Sequence, residues 1–161
     1  PGEIFGLEGS VTSPFFFLPE GLKNFGVSLN GTFIPTATLD VPDEEQTSFT
    51  RTPASFTPRY TTNAVLFYDS KKVSARVAYN WRSATRTNID VINPGWVQEG
   101  LPTQRLDAAF NYTPLRFVTF SIEGTNLLRN NDRFRYALYP DLPVGLRQMA
   151  RTIQASIRVR Y

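Results

Sequence analysis

Charged and amide side chains recur along the chain at positions that alternate with apolar ones, and they are the first place to look for chemistry. The set on the polar side of this alternation comprises Arg76, Asn80, Arg82, Asp107, Asn111, Glu123, Arg158 and Arg160. Guanidinium groups bind planar anions through paired N–H donors, so a row of unpaired arginines would attract an anionic ligand. Charge that leaves bulk water must otherwise be paired. We expect pairing with carboxylates on neighbouring strands to be the main role of this set.

The composition excludes most forms of side-chain catalysis. The chain of 161 residues has no histidine and no cysteine, which removes disulfides, thiolate nucleophiles, histidine-based triads and the usual zinc ligands. No motif places two carboxylates for hydrolysis, and no glycine-rich segment carries the residues of a phosphate loop. We therefore expect no enzyme and no cofactor or metal.

Arginine carries most of the positive charge. Of 17 basic residues only Lys23, Lys71 and Lys72 are lysine, which leaves 14 arginines, and the net charge is +3. A nucleic-acid-binding surface would cluster basic residues with aromatic ones. Here the basic residues are spread among 14 acidic ones, so we expect no nucleic-acid partner.

Three residues within or next to the polar segment 87–103 are candidates for contacts with a ligand. These are Arg86, Asn93 and Trp96. An exposed tryptophan can stack on a sugar or another flat ring, and it can also anchor a loop or pack internally. The acidic stretch at 40–58, with Asp43 and Glu44, lacks the spacing of a calcium loop and is read as a solvated loop.

The elements that must position these residues are β-strands. Alternation with a period of two runs through about seven segments, for example Val73 to Arg82 and Val118 to Glu123, and no helical period competes with it. The facing of 59–69 stays ambiguous. The pattern predicts an all-β fold, an antiparallel up-and-down meander of about seven long strands, in a single domain.

The connections between these strands alternate in length. Tight turns are predicted at 69–72 and 113–116 and a longer apolar connection at 14–23, whereas 40–58, 87–103 and 127–146 are long and polar. Short connections thus fall at one end of the sheet and long ones at the other. The two ends of such a meander therefore form different rims, a short-turn rim and a long-loop rim.

Strand length and facing favour a transmembrane barrel over a soluble sandwich. The strands run to about 9–11 residues, the length of a tilted transmembrane strand, whereas soluble strands are commonly about 5–6. Aromatic residues occur near strand ends, with Tyr79 and Trp81 at the long-loop rim and Phe110, Tyr112 and Tyr161 at the short-turn rim. A soluble carbohydrate-binding β-sandwich and a passive porin-like barrel remain open alternatives.

Four stretches resemble the C-terminal strands of TonB-dependent outer-membrane receptors. They are LPEGLKNFGVSLNGTF, KVSARVAYNWRS, LDAAFNYTPLRFVTFSIEGTNLLRNNDRFRY and GLRQMARTIQASIRVRY, which together cover nearly the whole chain. The hairpin with Asn126 and Leu127 is similar to the family's penultimate strand. The terminal residues Ile157, Val159 and Tyr161 resemble the signal that the barrel-assembly machinery reads.

The resemblance implies a function and a set of partners. The family has a 22-stranded barrel with a plug and a TonB box. We therefore read residues 1–161 as the C-terminal portion of such a barrel, with the plug absent. The implied function is TonB-energised uptake of a scarce nutrient, a ferric siderophore or a glycan, across the outer membrane of a Gram-negative bacterium. The implied partners are the remaining strands and plug, the TonB complex, the assembly machinery and outer-membrane lipid. Arg82 and Arg86 are the arginines best placed to meet an anionic substrate.

Overall fold

The computed structural model describes residues 1–42, 45 and 47–160, and β-strands dominate it. The strands are β1 (Gly2–Pro14), β2 (Phe25–Pro42), β3 (Phe49–Pro53), β4 (Tyr60–Asp69), β5 (Val73–Arg82), β6 (Thr85–Arg86), β7 (Gln98–Gly100), β8 (Thr103–Leu115), β9 (Val118–Thr125), β10 (Asp132–Tyr136), β11 (Pro143–Arg147) and β12 (Thr152–Val159). A short 3₁₀ helix, Pro94–Trp96, precedes β7. No helix among the described residues is long and apolar enough to span a membrane.

The main sheet confirms the predicted meander. Its strands lie in the order β1-β2-β4-β5-β8-β9-β12, each antiparallel to the next, and β3 pairs with the far end of β2. Seven strands on this path match the seven alternating segments of the sequence. In the described residues β1 and β12 are each paired on one side only, so the sheet ends in two open edges.

The long connections contain short strands that the sequence analysis did not predict. A second, four-stranded sheet in the order β11-β10-β7-β6 forms from 85–86, 98–100 and the hairpin Asp132–Arg147. We call it the loop sheet. Its strands have two to five residues, and β7 pairs with β10 more than 30 residues away. Strands of two to five residues are too short to show a period of two, and β7 and β10 are distant in sequence. The sequence pattern therefore did not predict this sheet.

One of the two tight turns lies further along the chain than predicted. The β4–β5 turn occupies 70–72, as expected, but the β8–β9 turn is at 116–117 rather than 113–116. The strand pairing slips between Tyr112 and Leu115, so Pro114 sits in a bulge of β8 instead of ending it. Bulges tolerate proline because the ladder hydrogen bond is already interrupted there.

Cross-strand register gives the main sheet one polar and one apolar face. One row of directly opposed residues reads Ser10, Asn30, Asn63, Asn80 and Arg105, and the next row reads Val11, Leu29, Ala64, Tyr79 and Leu106. Side chains of successive residues point to opposite faces, so these rows confirm the predicted facing.

The ambiguous segment 59–69 is resolved by its neighbours. In β4, Tyr60, Leu66 and Tyr68 share the apolar face, while Val65 and Phe67 are on the polar one. The Phe67 ring lies over Gly26 of β2, where any added Cβ would overlap it. Two apolar residues on the polar face explain why the alternation of this strand could not be read.

The apolar face is not covered by another layer of the described chain. Leu7, Ile153 and Ile157 are 58–67% exposed, and the buried apolar residues found are Val65 and Val97. In a β-sandwich the apolar faces of two sheets pack against each other. The loop sheet does not do this, so the arrangement differs from the soluble sandwich considered above.

Aromatic side chains bound this face at both ends. Near the long connections Phe33 and Tyr60 stack with centroids 4.9 Å apart, and near the short turns Phe25 and Tyr68 meet edge to face at 4.8 Å. Tyr60 and Tyr68 are eight residues apart on β4, which is about 27 Å along an antiparallel strand. For a tilted strand this span is close to the apolar band of about 25 Å found on outer-membrane barrels.

Candidate functional site

A cleft opens where the long-connection end of the main sheet meets the loop sheet, and we call it the rim cleft. Its volume is about 560 Å³, within the general range of small-molecule sites. Its lining residues are Phe56, Arg82, Thr85, Thr87, Asn88, Gln98, Gly100, Asp132, Phe134, Val144 and Arg147. The lining therefore combines two guanidinium groups, one carboxylate, several neutral hydrogen-bonding groups and two aromatic rings.

Arg82 is positioned by the last residue pair of β5 and β8. It lies directly opposite Thr103, and its Nε donates a hydrogen bond of 3.0 Å to the Thr103 Oγ1. Thr103 is buried, so this bond fixes the base of the guanidinium. No acceptor for the Arg82 Nη groups is found in the described part of the chain, which leaves donors directed at the cleft.

Arg147 reaches the cleft from the loop sheet. It pairs in register with Asp132 across β10 and β11, and its side chain has no hydrogen bond or ion pair among the residues described. Asp132 is 8% exposed. Its Oδ1 lies 3.7 Å from Arg105 Nη2 and has no hydrogen-bond partner within the described part of the chain. A separation of 3.7 Å gives Coulomb attraction without a hydrogen bond, so the carboxylate only partly neutralises the arginines around it.

The polar surface continues from the rim cleft down the main sheet. A second cavity of about 280 Å³ shares Arg82 with it and is also lined by Asn80, Trp81, Thr103, Arg105 and Asp107. The two cavities together hold three arginines, Arg82, Arg105 and Arg147, against two carboxylates. The local excess of positive charge favours an anionic ligand.

The residues predicted to line the polar face lie on it, but they divide into two groups. Asn80, Arg82 and Asp107 come together at the second cavity. Arg76, Glu123 and Arg158 lie further toward the short turns, opposite Ala109, Gln154 and Thr119. Arg160 follows in the same alternation, and its backbone N–H donates to the Phe117 carbonyl.

The expected ladder of arginine and carboxylate pairs is not found among the described residues. None of their ion pairs joins two of the predicted polar-face residues. Neutral hydrogen bonds link these strands instead, between Thr12 and Ser28 at 2.9 Å and from Ser121 to Asn111 at 2.7 Å. Hydroxyl and amide groups can thus cross-link the polar face without burying charge, which leaves most of its arginines uncommitted.

The three loop candidates do not line the rim cleft. Arg86 directs Nη1 to Thr52 Oγ1 at 3.4 Å. Asn93 caps the 3₁₀ helix through its carbonyl, which accepts the Trp96 N–H, and the Trp96 side chain is 70% exposed. These residues brace or border the loops, and a role in ligand contact for them stays a prediction.

The terminal strand places Ile157 and Val159 on the apolar face. They lie opposite Phe120 and Val118 of β9. Tyr161, the third residue of the predicted assembly signal, lies outside the described residues, as do Asp43 and Glu44 of the acidic stretch.

Sequence reasoning missed Arg105, Asp132 and Arg147. Arg105 could have been found, because it is two residues before Asp107 and continues the same alternation. Asp132 and Arg147 gave no such signal, because they belong to short strands of the loop sheet. The described residues contain no group of three or more histidine, cysteine or acidic side chains that could hold a metal ion.

Comparison with known proteins identifies the fold. No protein-family model matches the chain, and no curated protein matches it in sequence. Two solved structures do match, both of single-residue variants of the ferric enterobactin receptor PfeA of Pseudomonas aeruginosa, one of them in complex with enterobactin. The TM-scores are 0.60 and 0.61, with 18% sequence identity in each case.

The matches cover nearly all of this chain but a small part of the receptor. Each match covers 98% of this chain and 22% of the receptor. At this identity the likeness establishes the fold alone. The chain has the fold of a segment of a TonB-dependent receptor barrel, as the resemblance in sequence implied.

Proposed function

We propose that residues 1–161 form the C-terminal part of the wall of an outer-membrane receptor that takes up a scarce, anionic nutrient with energy from the TonB complex. The observation that carries this proposal is the seven-stranded meander with opposite polar and apolar faces, which aligns with a ferric enterobactin receptor over 98% of its length. A ferric siderophore suits the arginine-rich polar face, and an acidic glycan is the second substrate class.

The two open edges of the main sheet support a larger barrel. An unpaired backbone N–H or carbonyl is costly in lipid, so a membrane sheet must close on itself. β1 and β12 each need a further strand, which the remaining strands of the same barrel would supply. The plug, the TonB complex and the assembly machinery are the other partners that this function requires.

The rim cleft is the part of this wall that we assign to substrate contact. It lies among the long connections, which in outer-membrane barrels face the outside of the cell. Arg82 and Arg147 would bind anionic oxygens, and Phe56 and Phe134 would pack against apolar parts of the ligand. The predicted loop residues Arg86, Asn93 and Trp96 are then secondary contacts.

The test uses the native polypeptide in the cells that produce it. An antibody to this segment should detect a band several-fold larger than 18.2 kDa in the outer-membrane fraction. Deleting the gene should abolish uptake of a radiolabelled ferric siderophore, and the uptake in the parent should stop when an uncoupler removes the proton gradient. The siderophore panel should include neutral ligands, because the cleft predicts a preference for anionic ones.

Two outcomes would overturn the proposal. Uptake that survives the uncoupler would indicate a passive porin. A band of the chain's own size in the soluble fraction would remove the barrel altogether.

A further inference from the structure

Three charged side chains of the rim cleft have polar groups without a hydrogen bond. Arg82 uses its Nε on Thr103, and its Nη groups find no acceptor among the described residues. Arg147 makes no hydrogen bond or ion pair in the part of the chain described. Asp132 Oδ1 likewise has no hydrogen-bond partner there. The cleft thus combines two sets of free cationic donors with one free anionic acceptor.

Neutral side chains of the same lining already hold the loop structure together. The Thr87 Oγ1 donates to the Gln98 carbonyl at 3.4 Å, and Asn88 Oδ1 accepts the Gln98 N–H at 2.7 Å. The Asn88 Nδ2 donates to the Trp96 carbonyl at 3.3 Å. These groups are therefore less available to a ligand than the three charged ones are.

The loop sheet fixes Asp132 at the cleft. Asp132 is the first residue of β10 and pairs in register with Arg147 of β11. The next residue, Arg133, accepts the Leu101 N–H at 2.9 Å, which ties the start of β10 to the end of β7. The Asp132 side chain keeps 11% of its surface exposed and lines the rim cleft. A carboxylate that is mostly buried without a hydrogen bond is unfavourable, so a donor on a ligand would supply the missing bond.

Asp107, the other carboxylate of this polar surface, differs from Asp132. Its Oδ1 accepts the Asn126 N–H at 2.8 Å. It also borders the second cavity and does not line the rim cleft. The unmet acceptor is therefore a feature of Asp132 and of the rim cleft, and not of the acidic residues in general.

We propose that Asp132 is a specificity-determining residue of the rim cleft, which selects an oxyanion that still carries a hydroxyl hydrogen. Arg82 and Arg147 bind the anionic oxygens, and the Asp132 carboxylate accepts the hydrogen bond from the hydroxyl. Hydrogen phosphate groups and α-hydroxycarboxylates have this pattern, whereas sulfate and simple carboxylates offer no donor. The inference rests on the proposed substrate role of the rim cleft and names the chemical group that the cleft distinguishes.

Two effects of the carboxylate favour the same ligands. An oxyanion with a hydroxyl gains a charge-assisted hydrogen bond, which raises affinity by roughly 10- to 100-fold. An oxyanion without one brings a second negative charge against Asp132 and leaves the acceptor unpaired. Sites that hydrogen-bond a ligand hydroxyl reject the analogue that lacks it more strongly than apolar pockets reject a difference in size.

The test titrates the purified native polypeptide with two matched pairs of small anions at neutral pH. Phosphate and sulfate share a tetrahedral shape, but only phosphate carries a hydroxyl. Lactate and propionate have the same charge and differ by one hydroxyl. Calorimetry of the parent should show binding roughly tenfold tighter for the hydroxyl-bearing member of a pair. Discrimination within the first pair identifies the recognised group as a phosphate, and discrimination within the second identifies a hydroxycarboxylate.

Asp132→Asn keeps the size of the side chain and removes its charge. We expect the preference to fall by roughly tenfold, mainly because the anion without a hydroxyl binds more tightly. Asp141→Asn is the matched control, because Asp141 borders the groove on the loop sheet that contains Arg133 and not the rim cleft. It should leave the preference unchanged. Thermal unfolding verifies that both variants fold, and the comparison of anions in the parent needs no variant.

Three results would overturn the inference. They are equal affinities within both pairs in the parent, a preference that Asp132→Asn leaves unchanged, and no binding of any of the anions. The proposed function is judged separately, by uptake in the deletion strain and after addition of the uncoupler. Failure of the inference is therefore distinguishable from failure of the proposed function.

Discussion

Asp107 Oδ1 accepts a hydrogen bond of 2.8 Å from the backbone N–H of Asn126. Asn126 has a φ of 51° and follows the last residue of β9. Its own Nδ2 donates to the carbonyls of Asn130 and Met149 at 3.2 and 3.1 Å, and its Oδ1 accepts the Asn130 N–H at 3.0 Å. One buried asparagine therefore joins three segments: its backbone N–H bonds β8, and its side chain bonds the start of the long connection and the entry to β12.

Replacing this amide should destabilise the end of the sheet. Asn126→Ala removes about three buried hydrogen bonds and puts an alanine in the left-handed region, which together cost about 3–4 kcal/mol. Asn126→Gly loses the same bonds but accepts the positive φ, so it should cost about 1 kcal/mol less. Urea unfolding of the native polypeptide measures both free energies.

Asn80→Ala is the matched control for this prediction. Asn80 is exposed on the polar face and makes no side-chain hydrogen bond among the residues described. We expect a change within about 0.5 kcal/mol. Equal costs for the alanine variants at 80 and 126 would contradict the role given to Asn126.

Gly26 and Phe67 should be energetically coupled. The Phe67 ring occupies the space of a Gly26 side chain, so Gly26→Ala forces the ring aside and should cost about 1–3 kcal/mol. Adding Phe67→Ala should recover part of that loss, because the ring no longer obstructs the new methyl group. A double-mutant cycle on the free energy of unfolding measures the coupling.

Gly9→Ala provides the comparison, since no described residue other than its chain neighbours has an atom within 4 Å of the Cβ it would gain. Additive effects of the two substitutions at 26 and 67 would show that the ring already moves freely.

The ion pair between Asp40 and Arg51 should make the free energy of unfolding depend on pH in the acid range. Asp40 lies seven residues beyond Phe33 on β2, outside the apolar band. Arg51 Nε donates to Asp40 Oδ1 at 2.9 Å, and this hydrogen bond lowers the pKa of Asp40 below its usual 3.8. Because the folded state has the lower pKa, the pair contributes stability above pH 3.8 and loses it as the pH falls through the folded-state value.

The thermal midpoints of the parent and of Asp40→Asn test this dependence. The parent should be the more stable at neutral pH, and the two midpoints should converge in acid. A constant difference between the parent and Asp40→Asn across the whole range would refute the linkage.

Arg147 should contribute to ligand affinity through charge. Losing one charge-assisted hydrogen bond to an anion costs about 1.5–3 kcal/mol, so Arg147→Ala should weaken binding of an anionic ferric siderophore by roughly 10- to 100-fold. Arg133→Ala removes the same charge from β10 without touching the rim cleft, and we expect a much smaller effect. Titration of cells with labelled siderophore, at two salt concentrations, measures both variants.

Added salt should reduce the difference between Arg147→Ala and the parent, because ions screen the attraction. Equal losses of affinity for Arg133→Ala and Arg147→Ala would mean that affinity depends on the net positive charge of this surface and not on a contact in the rim cleft.

The amino-acid sequence was sufficient to assign the strands of the main sheet and most of their facing. A period of two puts alternate side chains on opposite faces, and in β5, β8 and β9 the apolar and polar residues are cleanly separated, so residues such as Tyr79 and Asn80 could be assigned without a structure. The order of the strands also followed, because an up-and-down meander pairs each of the seven predicted strands with the next one along the chain. The resemblance in sequence added the fold of a receptor barrel segment.

The facing of β4 and the rim cleft depend on contacts between segments that are distant in sequence. The facing of β4 depends on its partners, because Phe67 fits the polar face through the missing side chain of Gly26. The loop sheet forms between short strands that are distant in sequence, and it brings Arg147 beside Asp132 and Asp132 beside Arg105. Local periodicity carries no information on such pairings. They arise from backbone hydrogen bonding and charge proximity once the main sheet has placed the ends of its strands.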